Sequence, residues 1–140
     1  MRRVLIESPY AGEVARNELY VRACLRDSLK RGEAPFASHA LYTLPGVLAD
    51  MVPEERRLGI EAGLVWGAAA DLTAVYGDFG LTDGMVEGVK RAVKSVRPVE
   101  LRFVPGWGTS PDDVRLQLEG VLGDAIALLV PRVVPSFVHK

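Results

Sequence analysis

This 140-residue chain is poor in nitrogen and thiolate metal ligands: it has two histidines and a single cysteine. That scarcity excludes a zinc cluster and a disulfide framework. Cys24 lies among apolar neighbours in a helical pattern and reads as a buried, inert thiol. Basic charge is not in excess either. The formal net charge is −1, so the chain offers no electrostatic footprint for nucleic acid, and no specific nucleic-acid partner is expected. Long apolar runs are missing: no segment reaches the roughly 18 residues of a membrane span. Glu61 interrupts the richest helical stretch, and Asp124 and Pro131 interrupt the last one. Behind Met1-Arg2-Arg3 the apolar run is only Val4 to Ile6 before Glu7, too short for a signal peptide. A soluble, cytoplasmic protein forming one domain over residues 1–140 is expected. There is no Gly-x-Gly-x-x-Gly fingerprint, no P-loop lysine and no Gly-x-Ser-x-Gly elbow, so nucleoside triphosphate hydrolysis has no support and no cofactor is expected.

What is present is an alternation of strand and helix signals. Arg3 to Glu7 reads as a first strand, running into the turn Ser8-Pro9-Tyr10-Ala11-Gly12. From Glu13 to Lys30, Val14, Leu19, Val21, Leu25 and Leu29 recur at helical spacing, with Gly32 as the cap. Pro35 to His39 is a weak second strand, and Leu41 to Met51 an irregular loop. Pro53-Glu54-Glu55 opens a helix running to about Ala69, with Trp66 on its core side. Leu72 to Tyr76 is a third strand, followed by a helix from about Thr82 to Ser95. Pro98 to Val104 is the fourth, followed by a helix from Ser110-Pro111 to about Leu129. The tail beyond Pro131 could add an edge strand or a partner contact. The pattern predicts an α/β, flavodoxin-like three-layer sandwich around a mostly parallel sheet of four to five strands.

Such a sheet gathers its functional loops at the carboxyl ends of the strands. Here these are Ser8–Gly12, Ser38–Tyr42, Gly77–Met85 and Pro105–Ser110. Tyr10 is placed to stack on a base or to donate its hydroxyl to a ribose, and equally reads as a surface aromatic. His39 reads as a site residue or a structural hydrogen-bonder, whereas His139 is next to the terminus. Trp107, between two glycines, is a stacking candidate. Asp71 to Gly88 combines a strand, a Gly/Asp turn and a helix start carrying Thr82, Gly84, Met85 and Glu87, the arrangement that cradles anions and sugars.

The Thr82-x-Gly84 helix start and the Ser8-Pro9-Tyr10-Ala11-Gly12 loop resemble the nucleoside 2-deoxyribosyltransferase superfamily, which includes nucleoside 5′-monophosphate N-glycosidases. Asn17, Ser38-His39-Ala40-Leu41-Tyr42, Pro53-Glu54-Glu55-Arg56 and Gly84-Met85 resemble its small phage-type bacterial branch. The resemblance covers about residues 3–104. It implies a nucleoside or nucleotide partner, chemistry at an N-glycosidic bond, and assembly as a homodimer or larger oligomer. It also implies a carboxylate that attacks the anomeric carbon and an acid that protonates the leaving base. On that pattern Glu87 is the candidate nucleophile, with Asp78 or His39 as acid/base or base-orienting group. Ser8, Gly12, Thr82 and Gly84 would hold sugar or phosphate and Tyr10 and Tyr42 the base, with Pro9, Ala11, Ser38 and Met85 as further substrate-binding positions. A non-catalytic nucleotide-binding module on the same fold is the alternative.

One register departs from the pattern. The glycosidase form reads Ser-x-Gly, three residues, then Glu; counting from Thr82-x-Gly84 reaches Gly88. In the transferase form, Gly-Met-Glu, the acid falls at Val86. Glu87 fits neither, and one position in a helix turns a side chain by about 100°. Either the loop is reshaped, another acid (Asp78, Asp83 or Glu7) serves, or the chemistry is lost.

Overall fold

The computed structural model describes residues 1–107 and 111–132. Strands β1 (Arg3–Glu7), β2 (Ala34–Phe36), β3 (Leu72–Tyr76) and β4 (Val99–Arg102) form one all-parallel sheet in the order β2-β1-β3-β4. Helices α1 (Val14–Lys30), α2 (Ser38–Leu41), α3 (Pro53–Gly67), α4 (Asp83–Lys94) and α5 (Pro111–Leu122) fill the connections, and a 3₁₀ segment, Gly123–Leu128, follows α5. Val99 makes an isolated parallel bridge to Leu129, the one pairing beyond these four strands among the described residues. The fold is the expected flavodoxin-like α/β architecture. Ser110, His139 and the expected edge strand of the tail lie outside the described residues. Among the described residues no helix is long and apolar enough to cross a membrane.

Period-two alternation sorts the strand side chains between two cores. Val4, Ile6, Leu72, Ala74 and Tyr76 pack with Tyr20, Val21 and Cys24 of α1. Val75 and Val99 face the other way, against Met85, Val89 and Ala92 of α4 and Leu118 and Leu122 of α5. All five residues of β3 are buried, as befits a central parallel strand. Cys24 is fully buried, and burial pushes its thiol well up, consistent with an inert side chain.

Helix α1 buries only part of its predicted apolar row, and α3 packs through small residues rather than through Trp66. In α1, Val14, Leu19 and Leu29 are exposed, and the buried face is Asn17, Tyr20, Val21, Cys24 and Ser28. The polar members are satisfied there: Asn17 donates to the carbonyls of Tyr10 and Ala11 at 2.9 and 3.2 Å, and Ser28 donates to Glu33 at 2.8 Å. In α3 the buried residues are Gly63 and Gly67, while Leu64, Val65 and Trp66 are exposed. Trp66 is therefore not a core residue. The glycines let α3 approach closely: a Cβ on Gly63 would lie 2.8 Å from Ser38 Oγ, and one on Gly67 3.3 Å from Leu5 Cδ2. Chain segments also end differently from their predicted bounds. The second strand stops at Phe36, and Ser38–Leu41 is a helical turn, so His39 sits on α2 rather than at a strand end.

A buried ion network closes the α1 side. Arg102 donates to both oxygens of Glu33, at 2.7 and 2.8 Å, and to the Tyr76 hydroxyl at 3.2 Å; Tyr76 donates on to Asp27 at 2.7 Å. The Arg102 and Glu33 side chains are only 1% and 6% exposed, so each depends on the other for its solvation. Although burial opposes it, hydrogen bonds from Arg102 and Ser28 hold the Glu33 carboxyl down at about 2.

Glu33→Ala should strand the Arg102 guanidinium and lower the unfolding free energy by about 3–5 kcal/mol in denaturant titrations. The folded value lies below the ordinary 4.5, so this stabilisation is complete above that pH and is lost as pH falls toward 2. The wild-type stability curve should show that acid slope, and the Glu33→Ala curve should be flatter.

Candidate functional site

The strand order reverses direction between β1 and β3, and their carboxyl ends open the crevice in which open α/β sheets hold ligands. Glu7 pairs with Val75 at that edge, so the chain leaving β1 through Ser8 and Pro9 runs beside the chain leaving β3 through Tyr76 and Gly77. Two adjoining cavities lie there. The first, about 90 Å³, is lined by Tyr10, His39, Tyr42, Asp50, Glu55 and Arg56 among others. The second, about 130 Å³, runs between α3 and α4 and is lined by Glu7, Gly63, Gly67, Gly88, Arg91 and Arg97 among others. Ser38 and Ile60 border both cavities.

The first cavity brings the Tyr10 and Tyr42 rings together with His39. Ser8 Oγ and His39 Nε2 share a hydrogen bond at 2.9 Å, and Ser8 is buried. The Tyr10 ring meets the His39 ring edge-on, with centroids 6.4 Å apart. Thr43 bonds the His39 carbonyl and ties α2 to the following turn. Burial pushes the His39 imidazole down to about 4, so at neutral pH it is an uncharged and weak base. This chemistry suits orienting a polar ligand better than abstracting a proton.

The second cavity is dominated by Glu7. Alternation along β1 turns Val4 and Ile6 toward α1, which leaves Leu5 and Glu7 on the α3/α4 side. Desolvation pushes the Glu7 carboxyl up to about 8, against the pull of Arg91 and then Arg97. Arg97 is buried and engaged, donating to Thr73 Oγ1 and to the Gly67 carbonyl, each at 2.9 Å. Arg91 is exposed at the rim. Gly88 completes the wall: a Cβ there would overlap the Glu7 carboxyl group.

Several expected site residues do not join these cavities. Glu87, the candidate nucleophile, is exposed on the outer side of α4, with its carboxylate 3.6 Å from Lys90. The helical turn from position 88 to 87 carries its side chain off the Glu7 face. Asp78 is fully buried and tied into the scaffold, accepting from the Tyr20 hydroxyl and from the Val104 N–H at 2.9 Å, instead of facing a ligand as an acid/base group. Met85 is 1% exposed in the α4/α5 core and lines neither cavity. Trp107 packs on Tyr20 and Phe79, with centroids 5.3 and 5.9 Å away, which removes it as a stacking platform.

The loop residues are placed as scaffold and rim. Thr82 caps α4, its hydroxyl accepting from the Met85 N–H at 3.3 Å, and Gly84 is exposed in the first turn. Asp83 is exposed beside it. Pro9 is buried and Ala11 exposed; Gly12, at φ +90°, turns the chain into α1. Tyr42 packs on Phe36 with centroids 6.2 Å apart. Sequence reasoning named Glu7 only as a substitute acid and did not single out Arg91, Arg97, Gly63 or Gly67. The available signal was the facing of β1 together with the glycine at position 88. Among the described residues no three His, Cys, Asp or Glu side chains gather to hold a metal ion.

Residues 2–102 match the family described as a domain of unknown function, DUF7768. The chain belongs to the DUF7768 family. The matched segment contains every residue of both cavities. No curated protein sequence matches the chain. Among solved structures, the chain is similar to a 2-deoxyribosyltransferase from Bacillus psychrosaccharolyticus, at 18% identity and a TM-score of 0.56, covering 94% of this chain and 99% of that one. It is also similar to a conserved protein from Enterococcus faecalis V583, at 14% identity and a TM-score of 0.50, covering 92% and 79%. At these identities the likeness establishes a shared fold.

NMR titration of His39 should show a midpoint near 4 and no change through neutral pH. Its folded value lies below the ordinary 6.5, so the neutral form stabilises the fold above that pH, and this contribution declines as pH falls toward 4. His39→Gln should remove that part of the pH dependence.

Proposed function

We propose that this DUF7768 protein binds a nucleoside or nucleotide in the crevice at the carboxyl ends of β1 and β3 and acts on its N-glycosidic bond. The observation that carries the reading is the adjacency of two cavities of unlike chemistry. One has the rings of Tyr10 and Tyr42 and the imidazole of His39, itself bonded to Ser8; the other has a desolvated carboxyl group near two arginines. Aromatic walls suit a base, and hydroxyls suit a sugar. Breaking an N-glycosidic bond needs a carboxyl group near a developing oxocarbenium ion and a proton for the leaving base. The fold likeness to a 2-deoxyribosyltransferase supports the same substrate class. Ser8, Gly12, Thr82 and Gly84 remain the proposed sugar or phosphate cradle, with Ser38 between the two cavities.

The solvent position of Glu87 favours a second reading, a nucleotide-binding module without turnover. One assay separates the two. Nucleosides, 2′-deoxyribonucleosides and their 5′-monophosphates are incubated with the protein, alone and with an acceptor base, and free base and exchanged product are quantified. Turnover supports the enzyme; nucleotide released on denaturing the purified protein, without turnover, supports the module. Tyr10→Ala should weaken binding of either kind by roughly tenfold, about the worth of one aromatic contact. Homodimerisation belongs to the same proposal, since α3 exposes Leu58, Val65 and Trp66; light scattering at a series of protein concentrations tests it.

A further inference from the structure

We infer that Glu7 is the catalytic carboxyl group of this site, delivered from the end of β1 into the α3/α4 cleft through the gap at Gly88. The inference rests on the nucleoside reading above and identifies the group that would perform its chemistry.

Three observations carry it. First, Glu7 is not a structural pin. Glu33, the other strongly desolvated glutamate, is satisfied by Ser28, Arg2 and Arg102; among the described residues Glu7 makes no hydrogen bond and no ion pair. Placing a carboxyl group in such surroundings costs free energy that an apolar residue at the end of a central strand would not, so its presence calls for a use. Secondly, the cleft is shaped around it. Gly63 and Gly67 bring α3 close on one side, and Gly88 leaves α4 without a side chain on the other. Any residue larger than glycine at position 88 would meet the Glu7 carboxyl, so the two positions are sterically linked. Thirdly, Glu7 faces an open cavity whose other charged lining groups are Arg91 on α4 and Arg97 after it. The lining from α2 and α3 is uncharged: Ser38, Ile60, Gly63, Leu64 and Gly67.

The chemistry follows from these surroundings. A desolvated carboxyl group holds its proton near neutral pH, which suits a general acid. The Glu7 proton passes to the leaving nitrogen of the base as the bond from that nitrogen to the anomeric carbon breaks, and the electron pair of the bond stays on nitrogen. The resulting carboxylate faces the electron-poor carbon. Water adds its oxygen to that carbon and returns a proton to Glu7. Water enters, free base and free sugar leave, and Glu7 is regenerated. Arg91 favours the carboxylate form and thereby sets the pH at which Glu7 loses its proton.

The test compares wild type with Glu7→Gln, Gly88→Ala and Arg91→Met, using 2′-deoxyribonucleosides and their 5′-monophosphates as probes. Glu7→Gln should lower kcat by about 10²–10⁴-fold with KM nearly unchanged and the melting temperature retained. Gly88→Ala should lower turnover by displacing the carboxyl group. The wild-type rate should fall above about pH 8, and Arg91→Met should move that alkaline limb higher. The ¹³C carboxyl resonance of Glu7, assigned by its loss in Glu7→Gln, should titrate in the same range. Turnover that survives Glu7→Gln, or a Glu7 midpoint near the ordinary 4.5, overturns the assignment and leaves the nucleoside reading standing. Neither turnover nor binding across the probes overturns the nucleoside reading and the assignment with it.

Discussion

The parallel pairing of β1 with β3, from Val4 opposite Leu72 to Glu7 opposite Val75, is the constraint on which the rest of the molecule depends. It places the point where strand order reverses at the middle of the sheet. It also decides which side chains of β1 meet which layer. Because the side-chain period is two, a slip of one residue would exchange Val4 and Ile6 with Leu5 and Glu7. The α1 core would then receive a carboxyl group, and the α3/α4 cleft would lose the one acid among its described lining residues.

Around that pairing the chain divides its buried charge into two kinds. On the α1 side, Arg102, Glu33, Tyr76 and Asp27 answer one another, and the network holds the helix to the sheet. Asp78, Tyr20 and the Val104 N–H do the same at the carboxyl end of β3. On the α3/α4 side, the Glu7 carboxyl has arginines near it but no hydrogen bond among the described residues. The contrast between satisfied and poised charge is what distinguishes scaffold from candidate site here.

Much of the fold was readable from the order of elements: β1 and β3 have their predicted bounds, and α4 begins at its predicted Thr82 cap. Helix facing was less readable. Of the row Val14, Leu19, Val21, Leu25 and Leu29 expected to face the core from α1, Val21 is buried and Leu25 packs on the core, while Val14, Leu19 and Leu29 are exposed. Asn17 and Ser28 are buried because the Ser8–Gly12 loop and Glu33 offer them partners. Trp66 looked like core and is exposed, since α3 packs through glycines that periodicity does not weigh. The candidate site was half visible. Ser38, His39, Tyr10 and Tyr42, which stand out in their loops, line the first cavity, and Ser8 hydrogen-bonds the lining His39. Asp78 and Met85 were named from the same kind of loop and are occupied by the scaffold and the core.

The sequence by itself determined the strand and helix order, the parallel sheet and the loops that carry polar residues, because these follow from local periodicity, caps and turns. It also exposed the mismatch at positions 87 and 88. Only the tertiary structure decided which carboxyl group faces the cleft. Glu87 and Gly88 differ by one step along a helix, and Glu7 lies 81 positions from Gly88 in the chain. Their contact arises from the close approach of α4 to the end of β1, a distance that local sequence patterns do not encode.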